Sequence, residues 1–395
     1  MGGTLAATPP GTEVDSPRAI NDVLTLLDQT YLSERTVGRP THYDIAVSVV
    51  CNIKCPFCPR QTFGDEVKSG LLKQEHFDPV APHLEVSHKT GLYGLGEPFL
   101  NKNFMRYLKE TKARGSYAMT SSHGMSLTSE MIDTILDSGL DELCVSMDGP
   151  TPRTFNFLRD GADFDTVCRN VGELLRRRGA RGQELPRVHI ACAVSKYNVW
   201  HMAGMVRLAL RLGADRLVFS NLVLDHPEHA HASIVGTRMF HWNLARAKKA
   251  AERAGLECFY FPQKPFPWLE LPNPAPRKGV RHGCPSAWRS LIIERDGNVK
   301  PCCYLATSFG NTAEAPMEEI FNSGKARELR RSFIEGTYWD ACKGCGQFSE
   351  ITPERTLDLI GEAEAAARAG AFSDGVRERL LHTVAHFREL AAAAK

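Results

Sequence analysis

The stretch that decides the fold runs from Tyr43 to Arg60 and reads YDIAVSVVCNIKCPFCPR. Its opening, Tyr43 to Val50, is nearly all apolar and rich in β-branched residues, the pattern of a buried parallel strand. The chain then passes directly into Cys51, Cys55 and Cys58, and no fourth cysteine follows nearby. Zinc closed by protein alone needs four ligands, and the next histidines, His76, His83 and His88, have no zinc-finger spacing. Thiolates also hold iron–sulfur clusters. A cubane 4Fe–4S cluster on three cysteines keeps one iron open to a further ligand. The spacing favours a cluster over zinc, and either over a chance grouping of packed thiols.

Working outward, further strand-like runs follow: KTGLYGL, SYAMTS, DELCVSM, RVHIACAV, DRLVFSNL and LECFYF. Helical patterns separate most of them, for example TSEMIDTILDSG, with Thr128 placed to cap its start and Gly139 to end it. Strands alternating with helices imply a parallel sheet of right-handed βαβ units. About six such units suit an incomplete (β/α)6 TIM-like barrel better than the eight-fold form, which takes ~250 residues. Chemistry in such sheets collects at the carboxyl ends of the strands. The cysteine segment starts at one such end, and GEP, SSHG, SMDG and SKYN lie at others.

The remaining chain reads as appended parts. Residues 1–41 form an N-terminal extension with one short helix, AINDVLTLLDQTYL, and the barrel spans 42–260. A Pro-rich connector covers 261–283, followed by a small α+β unit over 284–350 and a helical tail over 351–395. In the small unit, SLIIERDGNVKPCC reads as two strands around an Asp-Gly turn. PMEEIFNSGKARELRRSFIEG reads as helix, and Leu380, Leu381, Val384 and Phe387 give the tail an apolar face.

Composition bounds the function. The chain has 395 residues, 43% hydrophobic and 24% charged, with a net charge of +2. This balance gives no ground for a nucleic-acid or membrane partner. No apolar run approaches the ~20 residues that cross a bilayer, and the N-terminus lacks a secretion signal. A cytoplasmic protein is expected. The twelve cysteines then point to metal or catalysis rather than disulfides. Cys144, Cys168, Cys192 and Cys258 stand alone in apolar segments and read as small core residues. Cys284, Cys302, Cys342 and Cys345 form a second ligand set, closed by a Cys-x-x-Cys pair; cluster and zinc both fit it. Cys303 alternates away from Cys302 on a strand and is read as packed.

The first cysteine group resembles the CxxxCxxC signature of the radical S-adenosylmethionine (radical SAM) superfamily, with Phe57 as the aromatic before the third cysteine. A Gly-Glu-Pro after the second strand, Gly96, Glu97 and Pro98, strengthens the resemblance. It implies that S-adenosylmethionine chelates the open iron and is cleaved to a 5′-deoxyadenosyl radical, with an external electron donor such as flavodoxin or ferredoxin. Phe57 would then lie near the adenine, and Gly96–Pro98 would receive the methionine ammonium. Ser146, Asp148 and Ser195 match positions where relatives meet the cofactor, although SMDG also reads as a plain turn and Ser195 as a helix cap. The second group resembles SPASM and Twitch auxiliary-cluster domains, with one 4Fe–4S cluster on Cys284, Cys302, Cys342 and Cys345.

Four protein ligands leave that cluster no vacancy, which suits an electron relay. The leading expectation is therefore oxidation of a secondary alcohol in a small polar metabolite, a sugar or aminocyclitol of natural-product biosynthesis. The alternatives are modification of a ribosomal peptide, a redox-neutral epimerisation or decarboxylation, and a zinc-stabilised interaction protein. Arg153, Arg159, His189 and His226 stand in plausible regions, yet none is assigned as the catalytic base.

Overall fold

The computed structural model describes residues 15–61, 69–224, 226–263, 266, 281–343, 345 and 349–393. Most of the Pro-rich connector and the first fourteen residues lie outside these. Seven strands run parallel in chain order: β1 (His42–Ala46), β2 (Lys89–Tyr93), β3 (Tyr117–Ser122), β4 (Glu142–Ser146), β5 (Arg187–Val194), β6 (Arg216–Asn221) and β7 (Glu257–Phe261). Helices cover their outer side: α2 (Phe104–Ala113), α3 (Ser129–Asp137), α4 (Pro152–Leu158), α5 (Phe164–Ala180), α6 (Met202–Leu212) and α7 (Arg238–Arg253). The sheet does not close on itself, and this incomplete barrel is the architecture expected from the alternation.

The strands have two different faces. Tyr43 and Ile45 of β1, Leu143 and Val145 of β4, and Val188, Ile190 and Cys192 of β5 pack outward into the helix layer. The alternate residues, among them Asp44, Tyr93, Cys144 and His189, point into the lumen. The outer face supplies the hydrophobic core; the inner face is polar. Thr128 caps α3 by accepting from the Met131 N–H, as expected, and Gly139 follows its end with φ +72.

The C-terminal unit joins the barrel's own sheet, which the sequence did not indicate. β9 (Ser290–Ile293) pairs parallel with β1, setting Tyr43 against Leu291 and Ile45 against Ile293. β10 (Asn298–Lys300) returns antiparallel through the Asp-Gly turn, where Gly297 takes φ +84, and β11 (Gly310–Asn311) completes that edge. A separate two-stranded ladder pairs β8 (Arg281–Gly283) with β12 (Ser349–Ile351). One helix was expected over 316–336, but two form. α9 (Met317–Phe321) stops at Asn322, and Ser323 starts α10 (Gly324–Glu335) by accepting from the Ala326 N–H. Asn322 is diverted instead to the backbone N–H of Thr36, at 2.9 Å.

Arg330, fully buried on α10, ties this unit to the N-terminal extension. Its guanidinium donates to the carbonyls of Ala287, Glu34 and Phe321 at 2.9, 3.3 and 2.8 Å. The helical tail, α11 (Pro353–Ala369) and α12 (Asp374–Ala393), docks on α1 (Pro17–Tyr31) rather than on the barrel core. Val23, Leu27, Ile360, Leu380, Val384 and Phe387 make that second, smaller core. Among the described residues no helix is long and apolar enough to cross a membrane.

Candidate metal and cofactor site

The three-cysteine loop leaves the top of β1 and is fixed from three directions. Below it, the Gly96 and Glu97 N–H groups donate to the carbonyls of Ser48 and Val50, at 3.0 and 2.8 Å. This approach is so close that a Cβ on Gly96 would stand 2.2 Å from the Val50 oxygen, so only glycine fits. The Gly-Glu-Pro segment is thus laid along the residues that lead into Cys51. Pro98 begins the 3₁₀ turn that carries the chain away.

From the third strand, Ser122 Oγ and the His123 N–H donate to the two oxygens of Glu97, at 2.8 and 3.0 Å. Glu97 is only 2% exposed, and burial pushes its carboxyl up to about 7 against those hydrogen bonds. His123 Nδ1 accepts from the Met125 N–H, so its proton sits on Nε2, which donates to Asn52 Oδ1 at 2.7 Å within the cysteine loop. Burial lowers His123 to about 4, so it is the neutral tautomer. The sequence reading assigned nothing to His123; its position at the end of β3 was the available signal.

The remaining strand ends close the ring. Asp148 Oδ1 accepts from the Ala193 N–H at 2.7 Å, and its Oδ2 lies 2.6 Å from Arg159 Nε. Ser195 is 1% exposed and its hydroxyl is engaged with Asn198 and the Tyr197 N–H, shaping a turn. Ser146 is half-buried on the lumen side of β4. Phe57 stacks on Tyr197 at 5.6 Å with an interplanar angle of 22°, and His229 meets its edge at 5.5 Å. The structure therefore brings Cys51, Cys55, Cys58, Phe57, Gly96–Pro98, Ser146, Asp148 and Ser195 to one mouth, with Asp148 and Ser195 occupied by protein partners.

The late cysteines gather separately. Cys284, Cys302, Cys342 and Cys345 line a single cavity with Ala287, Leu305 and Phe333. Cys303 does not line it. It is exposed rather than packed and interacts with Asp44 and Tyr93 on the barrel's inner face; the strand expected to carry the two cysteines ends at Lys300, and Cys303 opens the turn that follows. Cys144 is likewise not core; it is half-buried, alternates with the core residues Leu143 and Val145, and so faces the lumen. Both cysteine groups suit thiolate ligands of an iron–sulfur cluster. Burial raises Cys51, but the Ile53 N–H is directed at its sulfur. Burial also pushes Cys284 up to about 12, opposed by the Ser286 and Ala287 N–H groups, and Cys302 receives those of Tyr304 and Leu305. Peptide donors on sulfur favour the ionised form that metal binding needs.

Comparison with known proteins agrees with this arrangement. Residues 45–209 match the radical SAM superfamily, and residues 284–346 match the iron–sulfur cluster-binding SPASM domain. This chain is a radical SAM enzyme with a SPASM domain. These domains imply a SAM-binding 4Fe–4S cluster, an auxiliary cluster and S-adenosylmethionine. The cofactor-modifying protein of tungsten-containing aldehyde ferredoxin oxidoreductase from Pyrococcus furiosus is 25% identical over 330 residues, covering 78% of this chain and 88% of that one. PqqA peptide cyclase of Xanthomonas campestris pv. campestris is 25% identical over 371 residues, covering 87% and 88%. Among solved structures, Streptococcus suis SuiB bound to the precursor peptide SuiA shares the fold with a TM-score of 0.59 at 13% identity, over 79% of this chain and 70% of SuiB.

Proposed function

We propose that this radical SAM enzyme oxidises a secondary alcohol of a small polar metabolite held inside the barrel lumen. Cys51, Cys55 and Cys58 would hold the first cluster, and Cys284, Cys302, Cys342 and Cys345 the second. When bound, these groups and S-adenosylmethionine supply a radical that removes hydrogen from carbon and an acceptor for the electron left behind.

The observation that carries this reading is the Asp44–Tyr93 pair on the inner face. Tyr93 donates a short hydrogen bond to Asp44 Oδ1. Gly91 makes room for it, since a Cβ there would meet the Tyr93 ring at 2.3 Å and Asp44 Oδ1 at 2.7 Å. Burial raises the Asp44 carboxyl, and the Tyr93 hydrogen bond opposes that shift. Tyr93 also interacts with Cys144, two strands away, and with Cys303 of the C-terminal unit, which places it across the open lumen. A half-buried carboxylate with a phenol partner at this position can receive a substrate hydroxyl proton at Oδ1 or Oδ2.

Three strands away at the same level of the sheet, Glu142 Oε1 lies 3.1 Å from His189 Nδ1, and Tyr117 donates to Glu142 at 2.8 Å. Burial opposes the charge on His189, but hydrogen bonds to Cys144 and Glu142 outweigh it and raise the imidazole to about 9. Burial likewise opposes the charge on Glu142, but its hydrogen bonds with His189 and Tyr117 outweigh burial and bring the carboxyl down to about 2. The lumen thus offers fixed charges and hydrogen-bond partners, which suit a hydroxylated substrate better than an apolar one. The many free thiols fit a reducing, cytoplasmic compartment, where flavodoxin or ferredoxin would supply the first electron.

A second reading, modification of a peptide, is supported by the relatives whose names specify peptides, PqqA peptide cyclase and SuiB with SuiA. The deciding experiment is anaerobic turnover of substrates deuterated at the reacting carbon. The proposal expects deuterium in 5′-deoxyadenosine with one ketone formed per equivalent. Label transfer only from a peptide, or S-adenosylmethionine recovered unchanged, would exclude it.

A further inference from the structure

Three large aromatic side chains stand exposed on one flank of the barrel, beside its mouth. They are Phe157 on α4, Trp200 in the 3₁₀ turn Val199–His201, and Trp242 on α7, at 52%, 61% and 54% exposure. The elements that carry them are tied together. Thr154, one turn before Phe157, hydrogen-bonds His201 Nδ1 at 3.0 Å, and Trp200 meets Trp242 edge-on at 6.4 Å. Three successive βα units thus present one aromatic surface, and such patches on soluble proteins mark interaction sites.

Its charge is one-sided. Lys196 Nζ lies 5.0 Å from the Tyr197 ring centre and the Arg246 guanidinium 4.4 Å from that of Trp242. Arg207 leans toward Pro150, just ahead of α4; a Cβ on Gly204 would meet both, at 3.7 and 2.9 Å. Among the described residues neither these cations nor Arg153 pairs with a carboxylate. On the adjacent α5, by contrast, Arg176, Arg177, Arg178 and Arg181 are each paired, at 2.6 to 2.8 Å. The sequences of α4, α6 and α7 hold a single carboxylate, Glu252, among their arginines and lysines. Tryptophan and unpaired arginine together are what anchor a protein partner of opposite charge.

The surface is joined to the three-cysteine loop by packed rings. Phe157 meets Tyr197 edge-on at 5.2 Å, Tyr197 stacks on Phe57 at 5.6 Å, and Phe57 immediately precedes Cys58. Because α4, α6 and α7 form the outer layer, a molecule seated here lies outside the lumen in which a substrate must react. An electron needs only the rings.

We propose that this surface docks an acidic electron-carrier protein, of the flavodoxin or ferredoxin type, that reduces the cluster held by Cys51, Cys55 and Cys58. The carrier is oxidised by one electron and the cluster is reduced by one; no bond or proton moves at the interface. This rests on the reading that an external carrier supplies the first electron, and it holds whichever substrate follows.

The test uses the full-length reconstituted enzyme, without air, with an acidic bacterial flavodoxin and an acidic ferredoxin as probes. Iron is measured first. Each carrier is then reduced beforehand, and stopped-flow absorbance follows its oxidation by the enzyme at increasing salt. The double variant Arg207→Glu, Arg246→Glu is expected to slow that step about tenfold or more at low salt and to flatten its salt dependence. Trp200→Ala should weaken carrier binding about tenfold, read by calorimetry, while the salt dependence stays. Dithionite, a small reductant that needs no docking surface, should drive 5′-deoxyadenosine formation in both at the wild-type rate. Lys109→Glu, a charge reversal on the exposed face of α2, should match wild type throughout.

Wild-type carrier oxidation rates in both variants, at full iron, overturn the inference. So does a wild-type enzyme that dithionite activates and neither carrier reduces. Unchanged carrier rates with lost binding of an acidic peptide would assign the surface to a peptide and overturn it as well. Failure of dithionite to produce 5′-deoxyadenosine from fully loaded wild type refutes the cluster reading itself, and is thereby told apart.

Discussion

Replacing Gly96 with alanine perturbs one contact whose dimensions are known. The new Cβ would sit 2.2 Å from the Val50 oxygen, 2.6 Å from the Val49 carbonyl carbon and 2.7 Å from the Val50 nitrogen. Normal contact at these atoms requires the two segments to part by about 1 Å. That movement breaks or stretches two buried backbone hydrogen bonds, Gly96 to Ser48 and Glu97 to Val50. At about 1–3 kcal/mol for each donor left unsatisfied, the local cost is about 2–6 kcal/mol. Part of it is relieved by bending the chain at Leu95, which precedes the Gly-Glu-Pro segment and is 42% exposed. The barrel should therefore still fold, with a lower melting temperature. A displacement of about 1 Å at a binding segment costs about a hundredfold, so S-adenosylmethionine affinity should fall by that factor, read by equilibrium dialysis of reconstituted protein. Gly172→Ala is the control, because its Cβ would meet nothing within 4 Å and α5 gains a better helix former. Wild-type affinity in Gly96→Ala, at full cluster content, would refute the reasoning.

Other outcomes follow from the same structure. Asp44→Asn should reduce ketone formation by about a hundredfold or more while S-adenosylmethionine binding stays unchanged, as measured by turnover beside dialysis; Tyr93→Phe should act in the same direction. Cys302→Ser should lose about half of the bound iron and Cys303→Ser almost none, measured by metal analysis. Asp28 sits 1% exposed under the Val37 and Gly38 N–H groups, and burial raises it from 3.8 to about 6. Because the folded form holds that proton more tightly, its contribution is greatest at low pH and is lost as pH rises from about 4 to about 6, by about 3 kcal/mol. Urea unfolding of Asp28→Asn should lack that decline relative to wild type. Phe387→Ala, which removes the ring packed edge-on against Tyr31 at 5.6 Å, should cost about 3–5 kcal/mol, with hydrogen exchange rising in α1 and α12 and not in the barrel.

What the sequence made legible was local. The cysteine spacing, Gly-Glu-Pro and the Asp-Gly turn are each written within a few consecutive residues, and the strand–helix alternation repeats often enough to indicate the barrel. What it hid was the meeting of distant residues. The turn after α4 meets the three-cysteine loop because Gly161 takes a left-handed conformation that folds over Ile53, and nothing in the spacing of 53 and 161 signals it. Asp44 and Tyr93 pair because both fall on the inner face, and an apolar run does not say which side is inner. The single helix expected over 316–336 became two because Asn322 serves a residue almost three hundred positions earlier. Asp148 and Ser195 were read as candidate cofactor contacts, and their carboxylate and hydroxyl are also spent on organising the strand ends.

The ladder between β1 and β9 means that the C-terminal unit cannot be cut away as an independent module. Excising it would strip the barrel of the neighbour on one flank of β1 and bare a row of unsatisfied peptide groups beside the loop that bears Cys51, an invitation to intermolecular pairing. Truncated forms of this enzyme should therefore precipitate instead of surviving as half-active barrels.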